Sequence, residues 1–251
     1  MGLFSNLMGN RGTKPQAKAS VGQVELQKVN LEKSTENFGK VLVNLSKGSP
    51  IDLTKHMARV AMVFDFSGSM GTKFHDGSVQ RVTTRLLPIG MRFDDNGEVE
   101  SWLFSNGFKR LQSLNINNYQ DYVQRVMLQS GMSMGGTEYA PVLKDVTKYY
   151  VKEHPSTLPA FVIFVTDGDN NQKDKPSTDA IIREISEYNE FVQFVGIGNA
   201  SFDYLRKLDD LAGRRFDNTG FISVRDMDQL TDDELYTELL RQYVDWLKAR
   251  R

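Results

Sequence analysis

Val60-Ala61-Met62-Val63-Phe64 runs directly into Asp65-Phe66-Ser67-Gly68-Ser69, and the fold is decided at that junction. The first five residues are continuously apolar, as in a strand buried on both faces of a parallel sheet. The next five carry one carboxylate and two hydroxyls on alternate residues, where such a strand runs out into a loop. In an extended segment residues i, i+2 and i+4 point the same way, so three hard oxygen donors converge. Mg²⁺ takes such oxygens in near-octahedral geometry and keeps several waters or outside ligands. The spacing predicts a divalent-metal site at the end of this strand.

The chain downstream alternates between strand-like and helix-like runs. Val79, Val82, Leu86 and Ile89 share one helical face, and Pro88 is expected to kink that helix or end it early. Glu98–Phe104 and Phe108–Leu114 flank Asn106-Gly107, the signature of a two-residue hairpin, so one of them must run antiparallel. Tyr119–Gln129 is amphipathic. Tyr139–Val151 reads as a helix with Pro141 in its first turn. Ala160–Val165 is a second buried strand, followed by a helix over Thr178–Tyr188. Phe191–Ile197 is a third strand, Phe202–Leu211 a helix, and Gly220–Val224 a last short strand. Thr231-Asp232-Asp233-Glu234 is a capping box opening a final helix. This alternation predicts an α/β fold: a doubly wound, mostly parallel six-stranded sheet with one antiparallel edge strand.

Upstream the pattern is different. Residues 1–20 carry Arg11, Lys14 and Lys18 and no acid, and read as a flexible tail. Over residues 21–52, Val24, Leu26, Val29 and Leu31 alternate with polar residues, and Val41–Leu45 follows; this is expected to be a short β-hairpin-like appendage. The main domain is expected over residues 53–251.

Bulk properties narrow the function classes. Of 251 residues 39% are hydrophobic, enough for one large domain with an appendage. The formal net charge of −1 gives no basic field for nucleic acid. The absence of cysteine excludes disulfides, thiol catalysis and thiolate metal sites, and fits a reducing cytoplasm. The N-terminus has no basic-then-apolar leader, Asn6 stands where a myristoylation signal wants Ser or Thr, and no apolar run is long enough to span a membrane. A cytoplasmic protein without a transmembrane segment is the expectation.

Open α/β sheets bind ligands beyond the carboxyl ends of their strands, near the switch in strand order. Asp65, Ser67 and Ser69 fall there, as does Asp167 after the strand Ala160–Val165, and Thr137 lies in a Gly-Gly-Thr loop between them. These five form an all-oxygen set with two carboxylates, which leaves a divalent ion electrophilic. Gly68, Gly135 and Gly136 would let backbone approach closely or take positive φ. A lone D-x-S-x-S also describes a polar turn capping a helix; agreement among three segments favours the metal. Asp169 is expected to be a solvated loop acid rather than an outer ligand. Met132 and Met134 either rim the site or pack the loop. His56, His75 and His154 have no i, i+4 pairing for a metal site, and Trp102, Phe104 and Phe108 are expected in the core.

Asp65-Phe66-Ser67-Gly68-Ser69-Met70, Gly135-Gly136-Thr137 and Thr166-Asp167-Gly168 resemble the three pieces of the metal-ion-dependent adhesion site (MIDAS) of von Willebrand factor A (VWA) domains. The resemblance runs from about residue 53 to 248. Within that superfamily Arg85-Leu86-Leu87-Pro88, Phe93-Asp94-Asp95-Asn96-Gly97, Gly136-Thr137-Glu138-Tyr139-Ala140-Pro141 and Gln193–Gly198 resemble the TerF-like branch, tellurium-resistance and stress-response proteins of bacteria and their phages. Val24–Leu31 and Val41–Gly48 resemble a shortened opening of the related TerD-type domain, without its calcium sites.

The resemblance implies that Ser67 and Ser69 bind Mg²⁺ directly, that Asp65 and Asp167 act directly or through water, and that Thr137 engages when a partner docks. Mn²⁺ or Ca²⁺ could replace Mg²⁺. A protein partner would supply a Glu or Asp to the open position. The function implied is a non-enzymatic interaction module, a scaffold in a tellurium-resistance or stress-response system. The rival is a Mg²⁺-dependent phosphohydrolase, but that chemistry wants a second Asp where Ser67 stands. No phosphate-binding glycine motif and no G-x-S-x-G is present. A third reading is a degenerate module in which the ion only holds loops together.

Overall fold

The computed structural model describes residues 21–225 and 229–250, with side chains from residue 28 onward, Val29 excepted. The expected tail over residues 1–20 lies outside the described residues. Six strands form one sheet in the order β3-β2-β1-β4-β5-β6. They are β1 (Arg59–Asp65), β2 (Glu100–Phe104), β3 (Phe108–Arg110), β4 (Ala160–Thr166), β5 (Glu190–Ile197) and β6 (Thr219–Val224). All neighbouring pairs are parallel except β2 and β3.

Alternate residues of the central strands feed two cores, which is why these strands are apolar throughout. Val60, Met62 and Phe64 join Phe161, Ile163 and Val165 on one face. There they pack under α1 (Val21–Ser46), α3 (Ser78–Phe93) and α7 (Asp232–Ala249). Ala61, Val63, Val162 and Phe164 face α4 (Ala140–Lys148), α5 (Lys175–Ile185) and α6 (Asp203–Asp209) on the other. The switch in strand order lies between β1 and β4, whose carboxyl ends carry Asp65 and Thr166. Thr231 caps α7 as expected, with both halves of the capping box formed.

Three local expectations are corrected. The segment expected as a β appendage is the helix α1. Buried Leu31, Ser34, Phe38, Val41 and Leu42 recur at helical spacing, and a serine within that face masked the period. The Phe38 ring packs edge-on against Phe93 and Tyr236, while Ser34 and Asn37 donate to the Asp232 carboxylate that also pairs with Arg85. Secondly, Pro88 sits inside α3, which continues to Phe93. Pro88 and Gly90 are both buried, and a Cβ on Gly90 would stand 2.0 Å from Val99 Cγ2, so close packing on β2's approach holds this turn. Thirdly, the hairpin loop has three residues, Ser105-Asn106-Gly107, between paired Phe104 and Phe108, and neither Asn106 nor Gly107 takes positive φ. Phe108, expected in the core, is 41% exposed.

The opposite end of the sheet buries an acid. Arg59, Ala160 and Glu190 stand in register at the amino ends of β1, β4 and β5. Glu190 Oε1 accepts from Thr147 Oγ1 at 3.2 Å, while Oε2 has no partner among the described residues. Burial pushes this carboxyl from 4.5 up to about 8. Its contribution to stability is therefore full below the unfolded value and is lost as pH rises through about 8.

Two stability predictions follow from these contacts. Phe38→Ala is expected to cost about 3–5 kcal/mol in denaturant unfolding; a loss under about 1 kcal/mol would mean that α1 is not part of the cooperative unit. Glu190→Gln keeps the neutral shape, so it is expected to melt with wild type near pH 4 and above it near pH 9. Equal melting temperatures at both values would contradict a carboxyl held neutral by burial.

Candidate metal centre

Asp65 ends β1 with no exposed surface. Desolvation raises its carboxyl to about 6, opposed by the groups that satisfy it. Oδ1 accepts the Ser67 backbone N–H at 2.7 Å, and Oδ2 accepts the hydroxyl of Thr166 at 2.6 Å. The first bond is an Asx-type turn that aims Ser67 and the following turn back toward the strand end. Ser67 is buried, and its Oγ lies 3.1 Å from Ser69 Oγ. Ser69 Oγ donates to Asp167 Oδ1 at 2.7 Å, and Asp167 Oδ2 accepts the Lys73 ammonium at 2.8 Å.

Four of the five residues expected at the site are therefore joined across the ends of β1 and β4, Asp65 through the Ser67 N–H and the other three through hydroxyls and the Asp167 carboxylate. The fifth, Thr137, is positioned by the backbone of its loop. Gly68 N donates to Gly135 O at 3.0 Å, Ser67 and Gly135 form a parallel bridge, and Asn171 N donates to Thr137 O at 2.8 Å. The loop after β4 and the loop after β1 thus grip the Gly-Gly-Thr segment from two sides.

Gly135 and Gly136 serve close approach rather than positive φ, and Gly68 shows neither need. Asn106 Oδ1 accepts Gly136 N at 2.7 Å, and a Cβ would stand 2.4 Å from that oxygen at Gly135 and 2.8 Å from Asn106 Nδ2 at Gly136. Gly68 meets nothing closer than the Gly135 carbonyl at 3.9 Å. Ser105 O also accepts Glu138 N, so the hairpin tip holds both ends of the loop that carries Thr137.

The partners of several residues that shape the site had no local signal. Thr166 satisfies Asp65, and the Tyr139 hydroxyl, buried against Phe104 and Phe164, donates to Gly168 O. Asp174 accepts the N–H groups of Tyr139 and Ala140 at the start of α4 and the hydroxyl of Thr178 in α5. Lys73 lies in α2 (Gly71–His75), directly after the D-x-S-x-S loop. Each of these contacts joins residues far apart in the chain, except that the i, i+4 spacing of Asp174 and Thr178 was readable.

Other expectations resolve as follows. Asp169 accepts Tyr204 N at the start of α6 and pairs with Lys175, so it organises a helix terminus. Met132 and Met134 are half-buried and pack on the core. His56 is half-buried beside Tyr243, its Nε2 2.8 Å from the phenolic oxygen, and desolvation lowers its pKa to about 4. Among the described residues no three His, Asp or Glu side chains gather as a metal cage, so an ion here would be held by hydroxyls beside two carboxylates. The donor set fits a small hard cation. Two adjacent ligands about 2.1 Å from Mg²⁺ lie about 3.0 Å apart, close to the 3.1 Å between the Ser67 and Ser69 oxygens.

Comparison with known proteins agrees with this architecture. The chain is 43% identical over 201 residues to "Uncharacterized protein YcbR" of Bacillus subtilis (strain 168), covering 79% of this chain and 81% of that protein. Proximal thread matrix protein 1 from the mussel byssus, solved with a zinc-occupied MIDAS motif, superposes with a TM-score of 0.53 at 16% identity. That match covers 75% of this chain and 46% of the mussel chain, so this chain spans about half the length of that relative. A PilB minor pilin D319A mutant from Streptococcus sanguinis has a TM-score of 0.56 at 13% identity, over 80% of this chain and 65% of the pilin. These structural likenesses show the fold alone. The family model described as "vWA-TerF-like: vWA found in TerF C terminus" matches residues 57–251, and the chain belongs to that family.

Proposed function

We propose that this chain is a divalent-metal-dependent protein-interaction module that takes an acidic side chain of a partner at the carboxyl edge of its sheet. The observation that carries the reading is the pair of serine oxygens 3.1 Å apart between two carboxylates, at the switch point of the strand order. Ser67 and Ser69 would hold the ion directly, Asp65 and Asp167 directly or through water, and Thr137 would complete the set from its clamped loop. Mg²⁺ is the expected resident ion, with Mn²⁺ or Ca²⁺ as substitutes. Bound there, the ion would supply a positive centre for a partner's Glu or Asp.

The mussel protein's zinc-occupied motif supports a divalent ion at this place in the fold without naming which ion this chain uses. The family match supports a role in a bacterial tellurium-resistance or stress-response assembly, in which this chain acts as a scaffold in the cytoplasm. Among the described residues no helix is long and apolar enough to cross a membrane. A phosphohydrolase reading is disfavoured by Ser67, because a serine hydroxyl, here hydrogen-bonded to Ser69, offers no carboxyl general acid at that position.

Calorimetric titration of Mg²⁺ and Mn²⁺ into chelator-treated protein tests this reading. Wild type is expected to bind one ion saturably, and the double variant Asp65→Ala, Ser67→Ala to lose that binding while keeping its fold by circular dichroism. Wild type that takes up neither ion, or a folded double variant that binds as wild type does, would sink the metal mechanism.

A further inference from the structure

The centre already contains a cation of its own. Lys73 reaches from α2 back to Asp167, a carboxylate with only 6% of its side chain exposed, and its own side chain is 28% exposed. Its stem runs along the end of β5, where a Cβ on Gly198 would lie 3.7 Å from Lys73 Cε. The contact is therefore a held pair beside buried oxygens, unlike a screened surface ion pair. Asp167 divides its two oxygens: Oδ1 takes the Ser69 hydroxyl and Oδ2 takes the ammonium.

The charge balance gives this pair a consequence. Asp65 and Asp167 contribute two negative charges and Lys73 returns one positive charge, so the centre offers a divalent ion a net −1. The filled centre then stands at +1 until an acidic side chain arrives. Without Lys73 the same ion would be neutralised by the protein alone. Repulsion between an ammonium and a doubly charged ion on the same carboxylate is worth roughly tenfold in affinity at low ionic strength.

We propose that Lys73 is a specificity-determining residue of this centre: its ammonium on Asp167 weakens the ion's hold on the free protein, so that firm retention requires a partner's carboxylate. The proposal rests on the metal-centre reading. It also selects the partner's chemistry, since a basic or neutral segment would leave the excess positive charge in place while a Glu or Asp removes it.

Titration of Mn²⁺ alone into the chelator-treated full chain separates the possibilities, with wild type, Lys73→Met, Lys73→Gln and Lys73→Arg compared after circular dichroism has verified each fold. Lys73→Met and Lys73→Gln are expected to bind Mn²⁺ about tenfold or more tightly than wild type, and Lys73→Arg, which keeps the charge, to stay near the wild-type value. The uncharged variants should also gain more in melting temperature from Mn²⁺ than wild type does. Unchanged or weaker Mn²⁺ binding in both uncharged variants would overturn the role of Lys73 and leave the metal centre standing. Absence of Mn²⁺ binding in wild type and all variants would remove the metal centre and the proposal together. Saturation of the uncharged variants at Mn²⁺ concentrations that only partly fill wild type would be its strongest support.

Discussion

Asp65 is a carboxylate with none of its surface in water, and the local architecture follows from satisfying it. An unpaired buried charge is too costly to keep, so each oxygen must be met by a donor. One donor is the Ser67 N–H, which forces the chain into a turn directly after β1. The other is the Thr166 hydroxyl, which belongs to the last residue of the neighbouring β4. Because those two strands flank the switch in strand order, the same bonds that satisfy Asp65 also bring Ser67, Ser69 and Asp167 to one edge. A fold requirement and a chemical arrangement are thus met by one set of contacts.

The loops that complete the centre are held in the same way, by polar contacts with little freedom. The Asn106 side chain closes on Gly135 and Gly136, and Asn171 N holds the Thr137 carbonyl, so the two asparagines set the height at which Thr137 enters. Behind them Tyr139 and Asp174 tie the start of α4 to the loop after β4 and to α5. A metal held by so few charged ligands would depend on such supporting contacts to organise it.

How much of this was readable from the sequence depended on the range of the interaction. Buried strands announced themselves as unbroken apolar runs, so the doubly wound sheet was legible, and short motifs at the strand ends named the five candidate residues. Residues 21–46 were misread because Val24, Leu26, Val29 and Leu31 alternate over a window too short to separate a period of two from one of 3.6. Leu31, Ser34, Phe38 and Val41 carry the true helical period. The early end expected at Pro88 does not occur, because packing of this buried turn against Val99 carries the helix on to Phe93. Thr166, Asn106, Tyr139 and Lys73 could not be found as partners at all. Their meeting points are set by the sheet, and no local pattern encodes them.

The central claim is that a divalent ion sits among these oxygens. Crystals grown with Mn²⁺ and measured at the manganese absorption edge test it directly. The account predicts one anomalous peak within bonding distance of both Ser67 Oγ and Ser69 Oγ. A peak located only elsewhere, or none at this edge of the sheet, would contradict it.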